Sequence, residues 1–212
     1  MLKIKKFVFN PFLENTFLLS DKSNNTVIID PGCYHLNEVQ EIQDYIALNK
    51  LEIKAILHTH SHLDHMFGTS LLSNKYKAPV FIHREDESTF SSFEKVCSMY
   101  GIPIPKQEKF ELNYFDLNKG YYIGSNFLEI RFVPGHAPGH VVFYNAENNF
   151  VINGDCLFKS SIGRTDLPGG NHDLLIKSIR SELFTLPQDT KVYCGHGPET
   201  SIGEELKNNP FF

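Results

Sequence analysis

Apolar and polar residues alternate in short runs along the first thirty positions, a pattern typical of strands that rest one face on a core. Three such runs predict strands over residues 2–9, 16–20 and 26–30. The polar stretch 21–25 lies between the last two and predicts a turn, so these two strands should pair as a hairpin. Beyond the hairpin, apolar residues recur at steps of three and four, which predicts an amphipathic helix through residues 36–46.

The rest of the chain predicts further short strands and two helices. The expected strands cover residues 55–58, 79–83, 121–123, 127–133, 141–144, 150–153 and 191–194. The expected helices cover residues 66–72 and 174–183. Segment 84–120 is less regular, because glycine and proline interrupt any long element around residues 101–105.

Composition narrows the class of protein. Of the 212 residues, 41% are apolar, which is enough for a sizeable core and excludes a disordered chain. The formal net charge of -5, without a dense Lys/Arg cluster, argues against nucleic acid as a partner. No run of apolar residues reaches the length of a membrane span, so we expect a cytoplasmic protein that does not bind membranes. The four cysteines form no C-x-x-C pair and are expected to be small buried residues instead of disulfides.

Seven of the ten histidines form groups that follow predicted strands. Four of them fall within eight residues, two form a second group and one stands near the end of the chain; in order they are His58, His60, His62, His65, His136, His140 and His196. Asp155 follows a predicted strand in the same way. Polar groups in loops just past strand ends are typical of sites that are built on a rigid sheet.

The densest cluster has the spacing of a metal site. In an extended backbone His60 and His62 point to the same side, so both can bind one ion. A helix that begins at Asp64 would turn Asp64 and His65 away, toward a second ion. Asp64 could instead cap that helix, and one histidine could be a core residue. Caps and packing do not account for the whole cluster, because each buried imidazole needs its own partners.

These motifs resemble those of the metallo-β-lactamase superfamily, and within it those of short bacterial glyoxalase II-like hydrolases. The resemblance spans nearly the whole chain and rests on segments in matching order, namely His60-x-His62-x-Asp64-His65, the stretch 133–140, Asn153-Gly-Asp155, Gly163–Gly170 and Tyr193-Cys-Gly-His196-Gly. It implies an α/β fold, a four-layer αβ/βα sandwich of two mixed sheets with helices outside. The order of strands and helices in the chain fits that layering.

The resemblance also implies a ligand set. His60, His62 and His136 would bind one ion, and Asp64, His65 and His196 a second, with Asp155 bridging the two. Catalytic roles would fall to Asp64 and Asp155. The expected cofactor is two Zn²⁺ ions, although iron and manganese accept the same nitrogen and oxygen ligands. A hydroxide bridging the ions would attack a small-molecule substrate, with a thioester as the leading candidate.

Several neighbouring residues are expected to support the site. Asp30, Thr59 and His140 are candidates to orient the ligands from outside. Asp30 could equally serve ordinary turn chemistry in Asp-Pro-Gly. Arg164 resembles a substrate-binding position, and a salt bridge with Asp166 is the alternative.

Two other functions remain open from the sequence. Persulfide dioxygenases that use a single iron share these motifs, and a metal-binding protein without turnover is a third possibility. We expect one domain over residues 1–212, without a C-terminal glutathione-recognition domain, because sixteen residues follow His196. Segment 84–120 could form a lid or substrate wall, and its aromatic residues could instead be a satellite core.

Overall fold

The N-terminal half of the chain folds into a six-stranded mixed sheet whose strands follow chain order. The structure is a computed structural model that describes residues 1–212. The strands are β1 (Lys3–Phe9), β2 (Glu14–Ser20), β3 (Asn25–Ile29), β4 (Glu52–Leu57), β5 (Val80–Ile82) and β6 (Leu112–Tyr114). Strands β1 to β3 pair antiparallel, and β3 to β6 pair parallel. The predicted hairpin is confirmed, since Phe17 of β2 lies opposite Ile29 of β3.

The C-terminal half forms a second sheet of six strands. Its strands are β7 (Tyr121–Ile123), β8 (Asn126–Phe132), β9 (Val141–Asn145), β10 (Phe150–Gly154), β13 (Lys191–Cys194) and β14 (Thr200–Ser201). Across the sheet they lie in the order β14-β13-β10-β9-β8-β7. A small separate ribbon pairs β11 (Leu157–Phe158) with β12 (Ser161–Ile162). Only β10 and β13 pair parallel in this second sheet, so it is mixed as well.

The helices lie outside the two sheets. They are α1 (Leu36–Leu48), α2 (Leu63–Met66), α3 (Thr69–Tyr76), α4 (Glu87–Ser91), α5 (Phe93–Met99), α6 (His172–Ser178) and α7 (Ile202–Asn208). None of these helices has both the length and the hydrophobicity of a membrane span.

Three apolar clusters correspond to the layers of the predicted sandwich. The central cluster joins the facing sides of both sheets, with Phe17 and Leu57 from the first and Phe143 from the second. A second cluster packs Ile42 of α1 against the outer side of the first sheet, and a third packs Leu175 of α6 against the outer side of the second. Alternate side chains of one strand serve different layers because of the period of two. The predicted four-layer αβ/βα sandwich is confirmed.

Some local predictions need correction. The expected helix 66–72 is two helices, α2 and α3, separated at Gly68. The amide of Gly68 donates to the carbonyl of Pro31, and Cys33 packs so closely that a side chain at residue 68 has no room. Segment 84–120 contains a 3₁₀ turn (Arg84–Asp86), α4, α5 and β6. The second predicted helix begins earlier, as α6, and continues as a π-helical turn over Ile179–Leu183.

Candidate metal centre

The first three predicted ligands, His60, His62 and His136, converge across the two sheets, and we call them the first ligand group. His60 and His62 follow β4, whereas His136 follows β8. The Nε2 atom of His136 lies 2.9 Å from Nδ1 of His62 and 3.2 Å from Nε2 of His60. Three ring nitrogens therefore face one point, an arrangement suited to one divalent ion.

The second ligand group is formed by Asp64, His65 and His196. Helix α2 begins at Leu63, so Asp64 and His65 lie in its first turn. Nε2 of His196 lies 3.2 Å from Oδ2 of Asp64, and Nε2 of His65 lies 3.8 Å from the same oxygen. Their ligand atoms also converge closely enough to hold an ion.

Asp155 lies between the two groups, directly after β10. Its Oδ2 is 3.3 Å from Nε2 of His196 and 3.8 Å from Nε2 of His136. Its Oδ1 is 3.5 Å from Nε2 of His65. The carboxylate thus contacts members of both groups, as a bridging ligand would. Gly195 packs against this carboxylate so closely that a side chain at residue 195 would collide with it.

Hydrogen bonds fix the tautomers of the first ligand group. Thr59 Oγ1 lies 2.6 Å from Asp30 Oδ2 and donates to it, so the hydroxyl can only accept from Nδ1 of His60, 3.0 Å away. Nδ1 of His136 donates to the carbonyl of Arg164 at 2.8 Å. In both histidines the proton sits on Nδ1, and Nε2 keeps its lone pair for an ion.

The histidines of the second ligand group are oriented in the same way. Nδ1 of His65 donates to Oδ2 of Asp30 at 3.1 Å, and Nδ1 of His196 donates to the carbonyl of Phe12 at 3.0 Å. Each Nε2 atom consequently faces the carboxylates of Asp64 and Asp155. Asp30 therefore contacts His65, and Thr59 contacts His60.

Electrostatics differ between the two groups, and the first is kept neutral. Burial lowers the pKa of His60 well below its ordinary value, and neighbouring histidines lower it further. Burial likewise lowers the pKa of His62 to about 3 and lowers that of His136. Neutral imidazoles are the form that binds a metal ion.

The second group is rich in negative charge. Burial opposes protonation of His65, yet the carboxylates of Asp155 and Asp64 raise its pKa well above the ordinary value. For His196, burial is again outweighed, and hydrogen bonds to the same two carboxylates raise the pKa to about 10. Burial would raise the pKa of Asp155, but His65 and His196 hold it well below its usual range. Positive charge is therefore favoured at this point of the molecule.

The donor set fits a pair of divalent ions. Nε2 of His65 and Oδ1 of Asp155 are buried and have no hydrogen-bond partner, although buried polar atoms normally have one. A cation between them would satisfy both atoms. The residues that could hold the ions are the seven named from the sequence, with five imidazoles and two carboxylates. His62, Asp64 and His196 are the partly exposed members and form the side open to solvent.

The remaining predicted residues lie around this centre. Nε2 of His140 accepts from the amide of Asp155 at 3.0 Å, so His140 positions the backbone at the bridging residue. His58 is buried against Thr69 and Asp30, outside both ligand groups. Arg164 forms an exposed ion pair with Asp166, with contacts of 2.7 and 2.8 Å, so the predicted salt bridge is present. Its role toward substrate stays a prediction.

The cysteines behave as small buried residues. All four are free and buried, and no disulfide forms. Cys156, beside Asp155, packs in the apolar cluster of the second sheet and donates to the side chain of Asn153.

The turn between β1 and β2 contributes contacts to the centre that no sequence pattern predicted. The carbonyl of Phe12 holds His196, and the side chain of Asn15 donates to the carbonyls of Cys194 and Gly197 on either side of that histidine. A backbone carbonyl leaves no signal in a sequence. One signal was present in Glu14, an acidic residue that opens a strand whose seven residues are all buried.

Sequence comparison identifies relatives of the chain. A family model described as the metallo-beta-lactamase superfamily matches residues 9–196. "Probable metallo-hydrolase YqgX" from Bacillus subtilis is 38% identical over 99% of this chain and 97% of that protein. "Hydroxyacylglutathione hydrolase GloC" from Haemophilus influenzae is 35% identical over 94% of this chain and 93% of its own length.

Solved structures agree with the sequence comparison. A protein named TTHA1623, solved in a di-iron-bound form, superposes with a TM-score of 0.87 at 32% identity, covering 98% of this chain and all of that one. A protein described as the BLEG-1 B3 metallo-beta-lactamase superposes with a TM-score of 0.86 at 33% identity, covering 99% of both chains.

Proposed function

The chain belongs to the metallo-β-lactamase superfamily and is a metallo-hydrolase, and from this premise we propose that it is a dinuclear thioester hydrolase of the glyoxalase II type. One observation carries the choice of two ions, the convergence of Asp64, His65 and His196 into a second complete group beside the first. The hydroxyacylglutathione hydrolase from Haemophilus influenzae, similar along nearly the whole chain, supports a thioester as the substrate class.

The proposed chemistry assigns each part of the site a task. When bound, two divalent ions would polarise the substrate carbonyl and lower the pKa of a water molecule. Asp155 would join the two groups, while Asp30 and the carbonyls of Phe12 and Arg164 keep the imidazoles oriented. All four thiols are buried, so none of them is placed to act as a nucleophile toward the substrate.

The substrate would enter from the exposed side of the centre. His62, Asp64 and His196 are partly exposed, whereas His65 is fully buried, so the opening lies beside these three partly exposed residues. The apolar side chains of Phe12 and Leu13 are exposed in the turn whose carbonyl holds His196. Arg164 is exposed in the loop after β12, and its carbonyl contacts His136. Its guanidinium is the proposed contact for an anionic part of the substrate.

Metal identity is part of the proposal. Zinc is the proposed ion, because a set of five imidazoles and two carboxylates suits it. Iron accepts the same ligands, and the similar protein TTHA1623 was solved with two iron ions. A persulfide dioxygenase with a single iron is the second candidate, and a protein that binds metal without turnover is the third.

The deciding experiment measures metal content together with turnover. Purified protein would be analysed for zinc, iron and manganese and assayed on a thioester panel, on a persulfide with an oxygen electrode, and on a β-lactam. About two ions per chain, with thioester cleavage that is lost in Asp155→Ala, support the proposal. One iron per chain with oxygen uptake overturns it in favour of the dioxygenase, β-lactam turnover alone overturns the substrate class, and no turnover on any substrate favours the binding protein.

A further inference from the structure

The turn Asn10–Asn15, which comprises the link between β1 and β2 and the first two residues of β2, contains an unusual backbone conformation. Asn10 and Leu13 have φ angles of 54° and 58°, in the left-handed region. The side chain of Asn10 accepts the amide of Phe12 at 2.9 Å, and its carbonyl accepts the amide of Leu13 at 3.1 Å. Leu13 is exposed, so no packing of its side chain accounts for a conformation that a leucine rarely adopts. The turn therefore invites a functional explanation.

Its contacts enclose His196. Asn15 donates its amide to Gly195 at 2.7 Å and its side chain to Cys194 and Gly197 at 2.9 and 3.0 Å. The carbonyl of Phe12 accepts Nδ1 of His196. One turn thus fixes both the backbone that carries His196 and the tautomer of its ring.

The same turn reaches the other two members of the second ligand group. The side chain of Asn10 donates to the carbonyls of Asp64 and Gly32, at 2.9 Å each. The carboxylate of Glu14 is fully buried, with Oε1 at 3.9 Å from Nδ1 of His65 and without a hydrogen-bond partner. Its other oxygen accepts the hydroxyl of Thr16 at 2.8 Å.

The first ligand group receives no hydrogen bond from this turn. His60 is held through Thr59, and His136 through the carbonyl of Arg164. Residues 10–15 are therefore specific to one half of the centre.

We propose that the turn Asn10–Asn15 is a positioning element for the second ligand group, and that it decides whether the chain holds two ions or one. The inference rests on the proposed dinuclear site. Removal of a single contact that orients a metal ligand from outside typically weakens metal affinity by roughly 10–100-fold. Loss of such contacts on one side alone would convert a two-ion protein into a one-ion protein.

The test is the variant Asn15→Ala, with Asn145→Ala as its matched control. Asn145 is also a buried asparagine that donates to a backbone carbonyl, that of Phe127, but it lies at the end of β9, away from the centre. Metal-free protein would be titrated with Zn²⁺ against a chromophoric chelator, which gives the stoichiometry and the affinity of each step without an activity assay. We expect the second step to weaken by about 10–100-fold in Asn15→Ala while the first is unchanged. Both steps should be unchanged in Asn145→Ala.

Double variants identify the ion that is lost. His62→Ala removes a first-group ligand and His196→Ala a second-group ligand. Adding Asn15→Ala should weaken the remaining ion in the His62→Ala background and leave it unchanged in the His196→Ala background. Equal losses in both backgrounds, or two unaltered steps in Asn15→Ala, would overturn the role of the turn. A parent protein that binds one ion overturns instead the dinuclear function on which the inference rests.

Discussion

Oδ2 of Asp30 lies 3.1 Å from Nδ1 of His65 and 2.6 Å from the hydroxyl of Thr59, and through these two contacts Asp30 reaches both ligand groups. It orients His65 directly, and it orients His60 through the hydroxyl that accepts from that ring. Asp30 also accepts the amide of Thr59 at 2.8 Å. Asp30 directly follows β3 and has a left-handed backbone conformation. Its single carboxylate is thus shared by the two halves of the centre.

We predict that Asp30→Asn weakens both ions, in contrast to the one-sided effect expected for Asn15→Ala. The amide nitrogen cannot accept a hydrogen bond, so one of the two oxygens that serve Thr59 and His65 is lost. Each step of a metal titration should weaken by about 10–100-fold. Asp44→Asn, a surface change on α1, is the control. Wild-type affinity for both ions in Asp30→Asn would show that Asp30 serves the turn alone.

His60 and His58 provide a second contrast, because both are buried and only two residues apart. His60→Ala removes a ligand, and we expect kcat/KM to fall by more than about a hundredfold, the upper range for an outer partner of a ligand. His58→Ala should lower thermal stability and keep one metal ion in each ligand group. The measurements are steady-state kinetics, metal content and thermal melting. Full activity in His60→Ala would contradict both enzyme candidates, the hydrolase and the dioxygenase.

Arg164→Ala separates the ion pair from the proposed substrate contact. The pair with Asp166 is exposed, so its loss should leave the thermal stability nearly unchanged. If Arg164 binds an anionic substrate, KM should rise while kcat stays near the wild-type value. Asp166→Ala is the control, since it breaks the pair and keeps the cation. An unchanged KM for anionic thioesters in Arg164→Ala would show that Arg164 does not bind the substrate and serves only in the surface ion pair with Asp166.

Removal of the metal should destabilise the fold. An ion present at a hundred times its Kd adds about 2.7 kcal/mol to stability. In a chain of this length, each kcal/mol corresponds to about 2–4 °C in Tm. We therefore expect a chelator to lower Tm by roughly 5–10 °C for each ion lost, and Zn²⁺ to restore it. A Tm that does not respond to chelation of a metal-loaded sample would indicate that the ions lie elsewhere.

The thiols are predicted to be unreactive in the native state. Burial raises the pKa of Cys194 to about 12, and it also raises the pKa of Cys33, Cys97 and Cys156. Since the thiolate is the reactive form, alkylation at neutral pH should be slow at all four residues. Mass spectrometry after iodoacetamide treatment should find no adduct in native protein and four adducts in denaturant. Rapid native labelling of Cys156 would contradict the packing described here.

Much of the centre could be predicted from the sequence, because its ligands are polar residues in loops that directly follow apolar strands. His60, His136, Asp155 and His196 occupy such positions, and the structure brings them together at one edge of the two sheets. The layers could be predicted for a similar reason, since the alternation in β8 and the three-and-four spacing in α1 record which side of each element is buried.

The contacts that orient the ligands could not be predicted in the same way. The acceptors for His136 and His196 are main-chain carbonyls of Arg164 and Phe12, and every residue has such a carbonyl. Asn15 has a side chain suited to a turn, so its sequence position suggests nothing more. The break between α2 and α3 at Gly68 depends on the approach of Pro31 and Cys33, which are more than thirty residues away. Such features arise from tertiary contacts between distant segments.

The division of ligands between the sheets has a consequence for folding. Each ligand group takes two residues from the segment that follows β4 and one from a loop of the second sheet, and Asp155, which contacts both groups, also follows a strand of the second sheet. Neither group can be complete until the two halves of the chain have docked. We expect tight metal capture during refolding to lag behind the recovery of strand and helix signals. A metal-sensitive dye would therefore report the last assembly step, the closing of the sandwich.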